Sequence, residues 1–224
     1  MPFFPSLKLS RTLLSLLAAL LVVAGVTSSG AQAQEKPFRI MAFGDSLVHG
    51  YGLPAGQSFP DQLEQVLLEQ GYNISMINAG NSGDTTAAGL ARVDWALGDN
   101  PDVAIIVLGG NDSLRGLNPE QTRSNIEAII DRFQAADVKV LLAGMMAPRN
   151  LGTEYVSVFD SLYPELAQSK GTAFYPFFLE GVAQVPELNQ ADGIHPNRAG
   201  VEKITERLLP SLLPLIPSEY KSAS

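Results

Sequence analysis

The chain has 224 residues, 46% apolar and 17% charged, with 20 Gly and 15 Pro; this balance fits a folded domain with a sizeable core and excludes a disordered, collagen-like or coiled-coil chain. Acidic residues outnumber basic ones 23 to 15 for a net charge of −8, so the average surface repels a phosphate backbone and no nucleic-acid partner is expected. There is no cysteine, which excludes disulfides, thiolate nucleophiles, Cys-ligated metals and lipidated cysteines.

At the start of the chain, Lys8 and Arg11 precede an apolar run from Leu13 to Val26, and Ala31-Gln32-Ala33 follows with the small-x-small pattern of a signal-peptidase site. The run is shorter than the roughly 20 residues of a spanning helix. The expectation is a cleaved export signal over residues 1–33, a single domain over 34–224, a periplasmic or secreted protein and no stable membrane anchor after cleavage. Loss of Lys8 and Arg11 with no acid takes the charge from −8 to −10.

From residue 37 onward, short apolar runs alternate with amphipathic stretches. Phe38–Phe43, Ile74–Asn78, Val103–Leu108, Lys139–Ala143 and Thr172–Tyr175 are rich in β-branched and aromatic residues, close on Gly, Asn or Asp, and read as buried strands. Between them, Ser58–Gln70, Thr85–Leu97, Glu120–Ala136 and Tyr155–Lys170 read as helices, with Gly71 and Gly171 as stops. Pro119 behind Asn118 marks one helix start, and Pro196-Asn197 opens a last helix to Leu209; the tail beyond is expected to fray. Alternation of this kind requires right-handed crossovers and a parallel sheet, so the fold class is α/β, a three-layer α/β/α sandwich around five parallel strands.

In such a sheet the C-terminal strand ends share one rim, where residues distant in sequence meet. Gly44-Asp45-Ser46-Leu47 follows the first strand, Ala79-Gly80-Asn81-Ser82-Gly83-Asp84 the second, and Gly109-Gly110-Asn111-Asp112 the third; Asp192-Gly193-Ile194-His195-Pro196 lies beyond the fifth. Ser46 stands at a strand-to-helix turn, where a hydroxyl can clear the sheet. Of the two histidines, His195 follows Asp192 by three residues; Asp192 can hold one ring nitrogen while the other takes the Ser46 proton. The Ser46 and Gly80 amides and the Asn111 side chain are candidate oxyanion donors. An imidazole acts as base only when neutral, so activity is expected to rise with pH through about 6.5.

These four clusters, in this order, resemble the consensus blocks of the SGNH, or GDSL, hydrolases, over roughly residues 38–209. Ser82-Gly83-Asp84-Thr85, Gly89-Leu90-Ala91-Arg92, Leu114-Arg115-Gly116-Leu117 and Pro176-Phe177-Phe178 look most like the exported bacterial arylesterases and the acyl-CoA thioesterase and lysophospholipase group. The resemblance implies a flavodoxin-like sheet, a catalytic set of Ser46, Asp192 and His195, and oxyanion donation from Ser46, Gly80 and Asn111. It further implies a small-molecule ester or thioester substrate and no cofactor.

Other readings compete for the same residues. Asp45, Asp84 and Asp112 share the rim, which suits a metal site or, as the better expectation, turn capping. His49, three residues past Ser46, is a rival base without a carboxylate at matching spacing. Gly50-Tyr51-Gly52-Leu53-Pro54-Ala55 fits a dinucleotide fingerprint in form, but it begins too far past the strand and Pro54 interrupts it. Met145 and Met146 after the fourth strand, with Leu114 and Phe177, are candidate acyl contacts, the two Met being equally suited to the core. A non-catalytic exported binding module using the same rim is the alternative from another class.

Overall fold

The computed structural model describes residues 1–3 and 36–222, so the leader reading at Lys8, Arg11, Leu13–Val26 and Ala31–Ala33 lies outside the described residues. The five strands are β1 (Phe38–Gly44), β2 (Ile74–Gly80), β3 (Val103–Val107), β4 (Lys139–Ala143) and β5 (Ala173–Tyr175). All pair in parallel, in the order β2-β1-β3-β4-β5. β1 and β3 lie in the middle and are buried almost throughout, which is why they read as continuous apolar runs rather than alternating ones.

Seven α-helices are found among the described residues. They are α1 (Ser46–His49), α2 (Phe59–Glu69), α3 (Thr86–Leu97), α4 (Gly110–Leu114), α5 (Pro119–Ala135), α6 (Thr153–Lys170) and α7 (Arg198–Leu212). α3, α5 and α6 pack side by side, and α2 packs beside α7, so that helices cover both faces of the sheet. Between the layers lies one core that includes Ile40, Phe43, Ile105, Ile106, Leu141, Leu142, Phe133 and Phe159. Burial of a side chain of that size is worth about 1.5–3 kcal/mol relative to exposure.

Helix starts follow the polar residues expected of caps. Ser58 and Asp61 form a reciprocal capping box at α2, Thr85 accepts from Ala88 N–H at α3, and Asn118 with Pro119 opens α5. Two helices run past prolines: α6 contains Pro164 and α7 contains Pro210. For α7 this extends the helix three residues beyond the expected end. Leu208 and Leu212 are both fully buried, and that burial outweighs one missing N–H.

The tail does not fray as expected. Asn73 N–H donates to the Tyr220 carbonyl at 2.7 Å, Ser222 N–H to the Gly71 carbonyl at 2.9 Å, and the Tyr220 ring lies 5.0 Å from that of Phe38. A bridge between Tyr72 and Lys221 completes the attachment. The tail therefore staples the N-terminal ends of β1 and β2, on the rim opposite the strand C-termini.

Candidate active site

In the order β2-β1-β3-β4-β5 the chain winds one way from β1 to β2 and the other way from β1 to β3, so a crevice opens at the C-terminal ends of β1 and β3. Ser46 follows β1 there as the first residue of α1, and Asn111 follows β3 as the second residue of α4. Asp45 caps α1: its Oδ1 accepts from Leu47 N–H at 3.0 Å. Among the described residues, that turn leaves the Ser46 N–H without a hydrogen-bond partner.

His195 reaches the crevice from a loop between the Pro186–Leu188 turn and α7. The loop is closed by the Asn189–Pro196 bridge and by Gln190 N–H donating to the His195 carbonyl at 2.8 Å. Gln190 Nε2 also donates to the Tyr51 carbonyl at 2.7 Å and the Pro196 carbonyl at 3.0 Å, joining the loop to the turn after α1. Asn197 caps α7 and donates to the carbonyls of Glu187 and Asn189. The Tyr51 ring lies 4.7 Å from the imidazole.

Thus held, His195 Nε2 lies 3.0 Å from Ser46 Oγ and His195 Nδ1 lies 2.7 Å from Asp192 Oδ2. Asp192 Oδ1 accepts from the N–H groups of Ile194 and His195 at 2.9 and 3.0 Å. Those two backbone bonds, followed by the imidazole bond, lower the Asp192 carboxyl to about 2. An ionised carboxylate only accepts. Hence Nδ1 carries the proton in the neutral ring, and Nε2 is left as acceptor for the Ser46 hydroxyl.

Asn111 Nδ2 donates to the Asp84 carbonyl at 3.0 Å and to Asp45 Oδ2 at 3.2 Å. Asp45 is almost fully buried, and desolvation pushes its carboxyl up to about 6 against the bonds from Leu47 and Asn111. Gly80 is placed differently from the sequence expectation. Its N–H donates to Asn78 Oδ1 at 3.0 Å. It is glycine for another reason: a Cβ there would overlap the backbone nitrogen of His49. Three residues on, Gly83 has φ 87° and, among the described residues, no hydrogen-bond partner for its N–H; the carbonyl that Asn111 holds is that of the next residue, Asp84.

The cavity has a volume of about 360 Å³ and is lined by Ser46, Asn111 and His195 at one side. Met145, Met146, Leu114, Leu179 and Ile194 supply apolar wall. Met145 is buried and also belongs to the core, whereas Met146 and Leu114 are exposed. The loop is tied by Ala147 N–H to Asp160 Oδ1 at 2.9 Å. Phe177 lies elsewhere, in a shallow depression with Tyr175 and Arg207. Sequence reasoning passed over Leu179, an apolar residue just past the Pro176-Phe177-Phe178 stretch.

The remaining rim residues are occupied. His49 Nδ1 faces the Gly80 carbonyl at 3.3 Å. Asp112 accepts from Thr86 N–H and Oγ1, and Asp84 from Arg92 and Asn81. Among the described residues no three His, Asp or Glu side chains converge as a metal site.

Residues 42–203 match the GDSL-like Lipase/Acylhydrolase family. Esterase TesA of Pseudomonas aeruginosa PAO1 is 40% identical over 79% of this chain and 89% of its own, and a crystal structure of TesA gives a TM-score of 0.76, covering 80% of this chain and 99% of that one. The arylesterase of Vibrio mimicus is 39% identical over 75% and 84% of the two chains. Thioesterase 1/protease 1/lysophospholipase L1 of Escherichia coli K12 is 36% identical over 79% and 84%. With the family's match spanning more than two thirds of the sequence, this chain belongs to the GDSL-like Lipase/Acylhydrolase family.

Proposed function

We propose that the protein is a serine esterase acting on small-molecule carboxylic esters by two-step acyl transfer, with Ser46 as nucleophile, His195 as base and Asp192 as the carboxylate that orients it. One observation carries the reading: an unbroken line of hydrogen bonds from Ser46 Oγ through the imidazole to an ionised Asp192, at 3.0 and 2.7 Å. Ser46 Oγ attacks the carbonyl carbon as its proton passes to His195 Nε2; the same proton then goes to the leaving oxygen, and water repeats the sequence on the acyl-enzyme.

Charge developing on the carbonyl oxygen needs donors pointed at it. We assign these to the Ser46 N–H, the Gly83 N–H in place of that of Gly80, and Asn111 Nδ2, which exchanges its 3.2 Å bond to Asp45 for the oxyanion. The acyl group occupies the cavity bounded by Met145, Met146 and Leu114. Thioester and lysophospholipid substrates are the second reading, favoured by the E. coli relative's name and by a mostly apolar wall. Export to the periplasm or beyond is carried by the Leu13–Val26 run and Ala31-Gln32-Ala33; no helix among the described residues is long and apolar enough to cross a membrane.

Turnover of a p-nitrophenyl ester panel of increasing acyl length, with palmitoyl-CoA and a lysophospholipid alongside, tests the reading. Hydrolysis of the aryl esters that survives a divalent chelator and disappears in Ser46→Ala is expected. Aryl-ester turnover persisting in Ser46→Ala contradicts the assignment, and no turnover of any member supports the binding module instead.

A further inference from the structure

Arg92, on α3, is used by none of the steps above, yet its guanidinium bonds both strand ends that form the site. Nη2 donates to the Gly44 carbonyl at 2.8 Å, two residues before Ser46, and Nε donates to Asp84 Oδ2 at 2.6 Å. The guanidinium also lies 4.3 Å from the centroid of the Phe43 ring, so one planar cation is fixed by a carbonyl, a carboxylate and an aromatic face. Four-fifths of the side chain is covered. Asp84 is held from the other side by Asn81 Nδ2 at 2.6 Å, and its backbone carbonyl accepts from Asn111 Nδ2 at 3.0 Å.

We infer that Arg92 is a positioning residue for the oxyanion site: it fixes the Gly83–Asp84 turn, and through the Asp84 carbonyl the Asn111 amide, relative to the strand end that carries Ser46. The inference rests on the proposed oxyanion assignment. Arg115 Nη2 donates to the Gly83 carbonyl at 3.0 Å, so the turn has a second tether, but that one starts from the residue that ends α4 and, among the described residues, makes no hydrogen bond to the Ser46 strand. The two strand ends also meet through Asn81 N–H, which donates to the Gly44 carbonyl at 3.0 Å, and through Asn111, which bonds both Asp84 and Asp45; Arg92 adds the charged link that grips the Asp84 carboxylate and the Gly44 carbonyl at once. A lysine retains the charge but cannot present two N–H groups in the fork geometry, and reaches one acceptor at a time.

The effect belongs in the transition state, because the donors meet full negative charge only there. Arg92→Lys and Arg92→Ala are to be assayed on a p-nitrophenyl ester, with active sites counted by stoichiometric organophosphonate labelling and folding followed by circular dichroism. The expected result is kcat per labelled site lowered about 10-fold in Arg92→Lys and 100-fold or more in Arg92→Ala, with KM within 3-fold and an unmoved pH–rate midpoint. Should Arg92→Ala fail to fold, Arg92→Lys and Asp84→Asn carry the test. Full kcat per labelled site, whether or not stability falls, makes Arg92 a structural residue only and overturns the inference; so does a change confined to KM. Failure of the esterase reading is distinct, since Ser46→Ala would then keep its turnover.

Discussion

At the scale of single residues the site divides into groups that hold charge before the reaction and groups that meet it during the reaction. In the proposed mechanism Asn111 is of the second kind, and Asn111→Ala is expected to lower kcat by about 100-fold or more while KM changes little, measured by steady-state ester hydrolysis. Asp192 is of the first kind. Held at about 2 by two backbone N–H groups and the imidazole, it stays ionised across the working range, and what it adds to stability, present above its ordinary value near 3.9, is lost only as pH falls toward 2. Loss of activity between pH 7 and 5 therefore belongs to another group than this carboxylate. Asp45 has the opposite sign. Burial raises it to about 6, so the folded state binds its proton more tightly than the unfolded chain does, and stability falls as pH rises from about 4 to 6, by up to about 3 kcal/mol. Asp45→Asn is expected to remove that slope from urea denaturation series at pH 4, 5 and 6; an unchanged slope contradicts the assignment. In the sequence Asp45 reads as a turn cap, which it is, but its burial arises only when β3 and α4 close over it.

At the scale of elements, what the sequence reveals depends on whether a signal is local. The five strands were legible because each is an apolar run closed by a turn residue, and the caps Ser58, Thr85 and Asn118 because a cap acts within one turn. The length of α7 past Pro210 depends on where Leu212 packs, which no window around the proline contains. Ser46, Asn111, Asp192 and His195 could be singled out because strand ends in a parallel sheet share a rim. Gly80 could not be told from Gly83 in that way: Gly80 ends β2 and Gly83 lies three residues on, and what separates them is that the Gly80 N–H is bonded to Asn78. Asn197 shows how an element boundary serves the site, since it caps α7 and holds the carbonyls of Glu187 and Asn189 beneath the His195 loop. Asn197→Ala is expected to cost about 1–2 kcal/mol in chemical denaturation and to reduce turnover as well. A stability loss with turnover fully retained would show that the loop is held without it.

At the scale of the whole molecule, the sheet separates stability from chemistry by putting them on opposite rims. The tail from Ser218 to Ser222 clamps the N-terminal ends of β1 and β2, far from the crevice where Ser46 and His195 meet. Deleting residues 218–224 is expected to lower the midpoint of thermal unfolding while leaving kcat per active site unchanged. The central claim is that a hydroxyl 149 positions before an imidazole is its hydrogen-bonded partner and the nucleophile. Intact-protein mass spectrometry after exposure to an organophosphonate, followed by peptide mapping, addresses it most directly. One adduct per chain on the peptide containing Ser46, formed at least 100-fold more slowly in His195→Ala, is the predicted result; an adduct on any other residue, or equal labelling of the His195→Ala protein, would contradict it.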